Sequence, residues 1–190
     1  GCDRADSLVV NPHKWLLTPM DCSVLFTRRA DLLKRAFQLV PDYLAVNEAE
    51  SVTNLMDYGI ALGRRFRALK LWMVIRSFGV DGLAAVIREH IRLARALAGW
   101  IENDPEFELL ANPRFSTVAF RYKSGALSDA ETDELNRRIV EKVNRTRETF
   151  ISHTTVRGAY AIRISVGNLR TTEANVRHPW KLVKQAASEG

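Results

Sequence analysis

The stretch from Leu62 to Asn103 constrains this chain most, because two helical apolar patterns follow one another with a single glycine between them. In the second, Leu83, Val86, Ile87, Ile91, Ala94, Leu97, Ala98 and Ile101 recur at i, i+3, i+4, i+7. That spacing lays one face of a helix against a core. It predicts a helix from near Asp81 to about Asn103, ended by Asp104-Pro105, since the residue before a proline is driven from the helical region. The first pattern predicts a helix from Leu62 to Phe78, stopped by Gly79, with Leu62, Phe66, Leu69 and Met73 on one side.

A helix with one apolar face needs a second layer. Downstream, Phe107 to Leu110 and Ser116 to Tyr122 read as strands. Ser128-x-x-Glu131 is a capping box opening a helix that carries Leu135, Ile139 and Val143. Thr149 to Val156 and Tyr160 to Val166 read as strands joined around Gly158. A last helix starts near Thr172, with Pro179 kinking it or setting its start later. The order β-β-α-β-β-α predicts a small α/β sandwich, a helix layer over one face of an antiparallel sheet.

Upstream, Ser7 to Val10 reads as a short buried strand ended by Asn11-Pro12, and Cys22 to Thr27 as a second strand. Arg29 to Phe37 reads as a short helix with Leu32, Leu33 and Phe37 inward. From Gln38 to about Asp57 no period persists, which predicts a surface loop. A loop that long is more often functional than accidental.

Composition narrows the function classes. Of 190 residues, 46% are hydrophobic and 26% charged, which suits a folded chain rather than a disordered one. No run approaches the roughly 20 apolar residues of a membrane helix, so no membrane association is expected. The net charge of +6 is densest at Arg64, Arg65, Arg67 and Lys70. Within a helical pattern these read as a solvated or interface-facing side, and no nucleic-acid partner is expected. A basic module docking nucleic acid or an acidic partner through these four residues is the competing reading. Cys2 and Cys22 form no C-x-x-C, which favours a reducing, cytoplasmic setting. The four histidines are scattered, so no metal site is expected.

The chemistry concentrates around Lys14, in Asn11-Pro12-His13-Lys14-Trp15-Leu16-Leu17. A lysine among apolar residues either escapes to water or does chemistry. Burial disfavours an ammonium, and a neutral amine is what a carbonyl needs for a Schiff base. By composition alone, a turn lysine whose stem packs on Trp15 is the plainer reading.

The stretch from Ala5 through Leu17, followed by Asp21-Cys22-Ser23, resembles the cofactor-lysine segment of the pyridoxal-phosphate-dependent group II decarboxylases, nearest the aromatic-L-amino-acid branch. Leu62-Gly63-Arg64-Arg65-Phe66-Arg67-Ala68-Leu69-Lys70-Leu71-Trp72 and Ile162-Arg163-Ile164-Ser165 carry the same resemblance, which spans essentially the whole chain. It implies the end of a fold-type-I large domain over residues 1–78, holding the lysine, a catalytic loop and a linking helix. A small C-terminal α/β domain with an antiparallel sheet follows over 79–190.

The resemblance also implies an activity: removal of the alpha-carboxylate of an aromatic L-amino acid, in a homodimer, through a Schiff base of pyridoxal 5'-phosphate. Lys14 matches the lysine that holds the cofactor, and His13 and Asn11 match residues that help seat it. Asn11 also reads as a plain turn residue. Tyr43 matches the tyrosine of the mobile catalytic loop, which protonates the product carbon in the neighbouring subunit's site; a loop tyrosine packed on the surface is the alternative. Arg163 falls where glutamate decarboxylases place an arginine for the substrate carboxylate, and reads equally as structural. Gly63 falls where related enzymes vary the residue near the substrate ring, and reads otherwise as a helix-entry glycine.

One part of the family pattern is missing. The family's aspartate for the pyridine nitrogen lies well upstream of the lysine, and only thirteen residues precede Lys14. Asp3 and Asp6 are too close to match it. The chain therefore reads as the C-terminal part of a longer decarboxylase, inactive as an isolated 190-residue polypeptide, with a non-catalytic remnant or dimerisation fragment as the other possibility.

Overall fold

The computed structural model describes residues 1–38, 53–123 and 125–189, which form two compact units, Gly1–Gly79 and Val80–Gly190.

In the first unit, β1 (Ser7–Val10) pairs antiparallel with β2 (Val24–Thr27), from Ser7 opposite Thr27 to Val10 opposite Val24. The four-residue helix α1 (Pro12–Trp15) lies between them in sequence, and α2 (Ala30–Phe37) follows. Three expectations fail here. Ser7 to Val9 are exposed, with Val9 58% accessible, so β1 is not buried. Leu32 and Phe37 of α2 are exposed as well. Two strands and a short helix offer too little apolar surface to cover one another. The third concerns α3 (Arg67–Glu102), which begins at Arg67 rather than Leu62. Gly63 is a weak helix former, and Arg64 donates from Nη2 to the Leu55 carbonyl at 3.3 Å, outside any helix. Leu62 and Phe66 consequently precede α3 and stay exposed.

Gly79 interrupts α3 with φ 67° and ψ 173°, the left-handed φ that glycine tolerates best. The helical path resumes at residue 80 and carries the apolar stripe into the second unit. There β3 (Phe107–Ala111), β4 (Thr117–Tyr122), β5 (Ser152–Val156) and β6 (Ala159–Ser165) form an antiparallel sheet of order β3-β4-β6-β5. The helices α4 (Asp129–Arg145) and α5 (Glu173–Ser188) share one core with it. Leu93, Leu97 and Ile101 from α3 are fully buried beside Phe120, Ile139, Ile162 and Val183. Trp180 of α5 meets Phe107 edge-on at 4.7 Å and Phe120 at 5.8 Å between ring centres.

Local chemistry sets the boundaries. The capping box forms as expected, with the Glu131 amide donating to Ser128 Oγ and the Ser128 amide to Glu131 Oε2. β5 and β6 are joined by Arg157 (φ 51°) and Gly158 (φ 90°), two left-handed residues that suit a tight hairpin. Pro179 is buried inside α5, and the helix keeps its start beside Thr172. Asn136, on α4 and fully buried, accepts from the Tyr122 amide at 2.8 Å and donates to the Tyr122 carbonyl at 2.9 Å. Asp133, one turn earlier, accepts from the Tyr160 amide at 2.9 Å. The β4–β6 ladder stops at Phe120–Ile162, and these side chains take the backbone groups beyond it.

Candidate functional site

The segment around Lys14 is built by a short helix folded back on its own start. Pro12 opens α1 with a fixed φ, as proline does at a first helical position. Leu17 adopts φ 56°, and the amides of Leu16 and Thr18 both donate to the Pro12 carbonyl at 3.2 Å. Pro12 and Thr18 are buried by this wrap, whereas Lys14 is exposed. Among the described residues its amine has no hydrogen bond or ion pair.

The residues beside it are held. Asn11 does not cap α1 with its side chain. Instead its Oδ1 accepts from Ser23 Oγ at 2.6 Å, which leaves the amide nitrogen as a donor. His13 Nδ1 lies 2.7 Å from the Cys22 carbonyl and 3.1 Å from the Cys22 amide. A ring protonated on Nε2 accepts from that amide, and one protonated on Nδ1 donates to that carbonyl. In both forms Nδ1 fixes the ring and Nε2 is left for another partner. The His13 amide also donates to the Cys22 carbonyl at 3.3 Å.

Residues 19–22, which set Cys22, are gripped from the start of α3. Arg67 donates from Nε to Asp21 Oδ2 at 2.9 Å, and its Nη2 lies 2.8 Å from the same oxygen. The Lys70 ammonium donates to the carbonyls of Pro19 at 3.1 Å and Asp21 at 2.7 Å. The Arg67 hydrogen bond lowers the Asp21 carboxyl to about 2, with help from its own backbone amide. Arg67 is raised in turn by the same bond. Of the basic residues read as a solvated or interface-facing side, Arg67 and Lys70 turn back into the unit, onto the Asp21 carboxylate and the carbonyls of Pro19 and Asp21, while Arg64 and Arg65 stay exposed.

The remaining expected site residues are placed differently. Gly63 is exposed ahead of α3, so it is not a helix-entry glycine, and a Cβ built on it meets nothing within 4 Å. Tyr43 lies outside the described residues. Arg163 belongs to the second unit, on β6 opposite Ser152 of β5. It is half-buried and donates from Nη1 to Ser152 Oγ at 3.1 Å, while that hydroxyl donates to the Arg163 carbonyl at 3.3 Å. Both line a cavity of about 400 Å³ with Asn168 and Asn175. The first unit thus brings Asn11, His13 and Lys14 together. Sequence reasoning passed over Ser23, Asp21, Arg67 and Lys70 as the groups that hold them. The signal lay in the motifs themselves, since Asp21 and Ser23 follow the lysine segment and Arg67 and Lys70 lie in the second stretch of the resemblance.

Among the described residues, no helix is long and apolar enough to cross a membrane, and no group of three or more histidine, cysteine and carboxylate side chains could hold a metal ion.

Comparison with known proteins identifies the family. The profile of the pyridoxal-dependent decarboxylase conserved domain matches residues 1–123. The chain is 41% identical over 190 residues to tryptophan decarboxylase TDC2 of Camptotheca acuminata, covering 98% of this chain and 38% of that protein. It is 36% identical over 191 residues to the aromatic-L-amino-acid decarboxylase of Catharanthus roseus, covering all of this chain and again 38% of the relative. The crystal structure of Oryza sativa TDC with PLP and tryptamine superposes with a TM-score of 0.93 at 36% identity, over the whole chain and 40% of its own. The chain belongs to the pyridoxal-dependent decarboxylase family. It spans about two fifths of the length of these relatives.

Proposed function

We propose that this segment supplies the cofactor-lysine wall of a carboxy-lyase that removes the alpha-carboxylate of an aromatic L-amino acid, with pyridoxal 5'-phosphate held through Lys14. The observation that carries the reading is the exposed Lys14 amine beside a histidine ring fixed at Nδ1. The donor set fits the cofactor. A primary amine suits its aldehyde, and His13 Nε2 and the Asn11 amide nitrogen suit a phosphate. When bound, the cofactor supplies an electron sink for the pair left by the departing carboxylate.

The chain's own residues then bind, orient and move protons. Lys14 holds and releases the cofactor, and His13 and Asn11 seat it. Tyr43, outside the described residues, would deliver the proton to the alpha carbon in a partner subunit's site. The open space at Gly63 leaves room for an aromatic ring, while Arg163 is engaged with Ser152 in the second unit. In this reading residues 1–78 end the large domain and residues 79–190 form the small one, and the partner for the pyridine nitrogen comes from outside these 190 residues. A cytoplasmic homodimer is proposed with it. Free Cys2 and Cys22 suit the first part. Exposed Phe26, Phe66 and Trp72 suit the second, being apolar surface that an assembled enzyme would cover.

The test is carbon dioxide release by the complete encoded polypeptide carrying these residues, loaded with pyridoxal phosphate. Release from L-tryptophan, L-tyrosine or a hydroxylated relative, with none from L-glutamate, supports the reading. Release from L-glutamate alone overturns the substrate class.

A further inference from the structure

We infer that Arg67 and Lys70 are positioning residues for Lys14, acting through the backbone of Asp21 and Cys22 and the ring of His13. The inference rests on the reading of Lys14 as the cofactor lysine.

The argument follows the hydrogen bonds outward from the lysine. Lys14 adjoins His13 on a helix of only four residues, too short to fix a side-chain direction by itself. The ring of His13 is fixed by Cys22, whose amide and carbonyl both face Nδ1. Cys22 precedes β2, which begins at Val24, so no ladder holds it. Lys70 satisfies the carbonyls on either side of Met20, and Arg67 holds the Asp21 carboxylate with two nitrogens. Cys22 Sγ closes the loop toward the Arg67 carbonyl at 3.9 Å. Asp21 and Arg67 are both solvent-accessible, with the Lys70 ammonium a further 3.9 Å from Asp21 Oδ1, and exposed ion pairs hold a fold only weakly. Their arrangement is better suited to fixing a direction than to holding the unit folded. Arg29 and Asp31 form an exposed pair of similar length in the same unit that touches none of these groups, and they provide the control.

The experiment measures the rate at which borohydride traps pyridoxal phosphate on Lys14 in the complete encoded polypeptide, by mass spectrometry, with a melting curve for each variant. Arg67→Gln and Asp21→Asn are expected to slow trapping by about 10-fold or more, since a misplacement near 1 Å costs up to roughly 100-fold in a positioned reaction. Melting temperatures stay within about 2 °C. The double variant is no slower than either single, Arg67→Lys recovers most of the rate, and Arg29→Gln matches the parent. If Arg67→Gln melts lower, the isosteric Asp21→Asn decides. Unchanged trapping in Asp21→Asn, or losses that add in the double variant, overturns the inference. Lys14→Ala separates the two readings. If trapping persists without Lys14, the cofactor-lysine reading fails and takes this inference with it. If trapping disappears in Lys14→Ala but is unaltered in Arg67→Gln and Asp21→Asn, only the positioning role fails.

Discussion

Replacing Asn136 by alanine tests how the second unit is held together. Asn136 is fully buried and serves both backbone groups of Tyr122, at 2.8 and 2.9 Å, where the β4–β6 ladder has already ended. Its third bond, to the Thr132 carbonyl at 2.8 Å, duplicates a helix acceptor and matters less. Alanine removes two bonds worth about 1 kcal/mol each and leaves a strand amide and carbonyl without partners, so a loss of about 3 kcal/mol is expected. For a chain of this size that corresponds to roughly 6–12 °C in melting temperature. Circular dichroism gives the melt, and hydrogen exchange of the peptide spanning residues 117–123 localises the loss. Asn136→Asp adds a signed test. Its carboxylate accepts from the Tyr122 amide but cannot donate to the carbonyl, and burial raises its folded pKa. The aspartate is therefore least costly below about pH 4, where it is protonated in both states, and more costly as pH rises through the raised folded value. A melting temperature for Asn136→Ala within 2 °C of the parent, or an Asn136→Asp penalty that grows on acidification, refutes this account of the wedge.

Three further outcomes follow. Tyr43→Phe spares cofactor binding but damages amine formation and diverts the reaction toward oxygen and an aldehyde; unchanged amine yield, measured by chromatography, removes Tyr43 from the mechanism. Gly158→Val forces a branched residue to φ 90° in the β5–β6 hairpin. It lowers stability by about 1–3 kcal/mol in urea titration, and no change contradicts the turn assignment. The Asp21 carboxyl is lowered to about 2 by Arg67. Followed by NMR, that carboxyl accordingly titrates near 2 in the parent and moves up toward the ordinary carboxylate value in Arg67→Gln; an Asp21 midpoint unaltered in Arg67→Gln refutes the pairing.

What could be read in the sequence was local or periodic. The Leu83 to Ile101 stripe, the Ser128–Glu131 capping box and the turn at Gly158 each carry their signal within a few residues, and each forms as expected. Lys14, His13 and Asn11 are neighbours in sequence, so one motif exposed them together. The β1 run Leu8-Val9-Val10 reads as buried, yet Leu8 and Val9 are exposed here; a short apolar run looks the same whether or not the described residues also supply the layer that covers it. The early start assigned to α3 followed Leu62 and Phe66, although Gly63 between them disfavours a helix. The Asp21–Arg67 pair spans 46 residues, and Asn136 reaches from a helix to a strand. No period or cap in a single sequence links such partners. Arg163 sits in the other unit, and its bond to Ser152 depends on strand register.

The most direct measurement is the site of covalent capture. The complete encoded polypeptide is incubated with pyridoxal phosphate, reduced with borohydride, digested and mapped by mass spectrometry. The account predicts a single modified peptide containing Asn11 to Leu17, with the added mass on Lys14 and none in Lys14→Ala. Capture at Lys34, Lys70 or another lysine, with Lys14 unmodified, contradicts it.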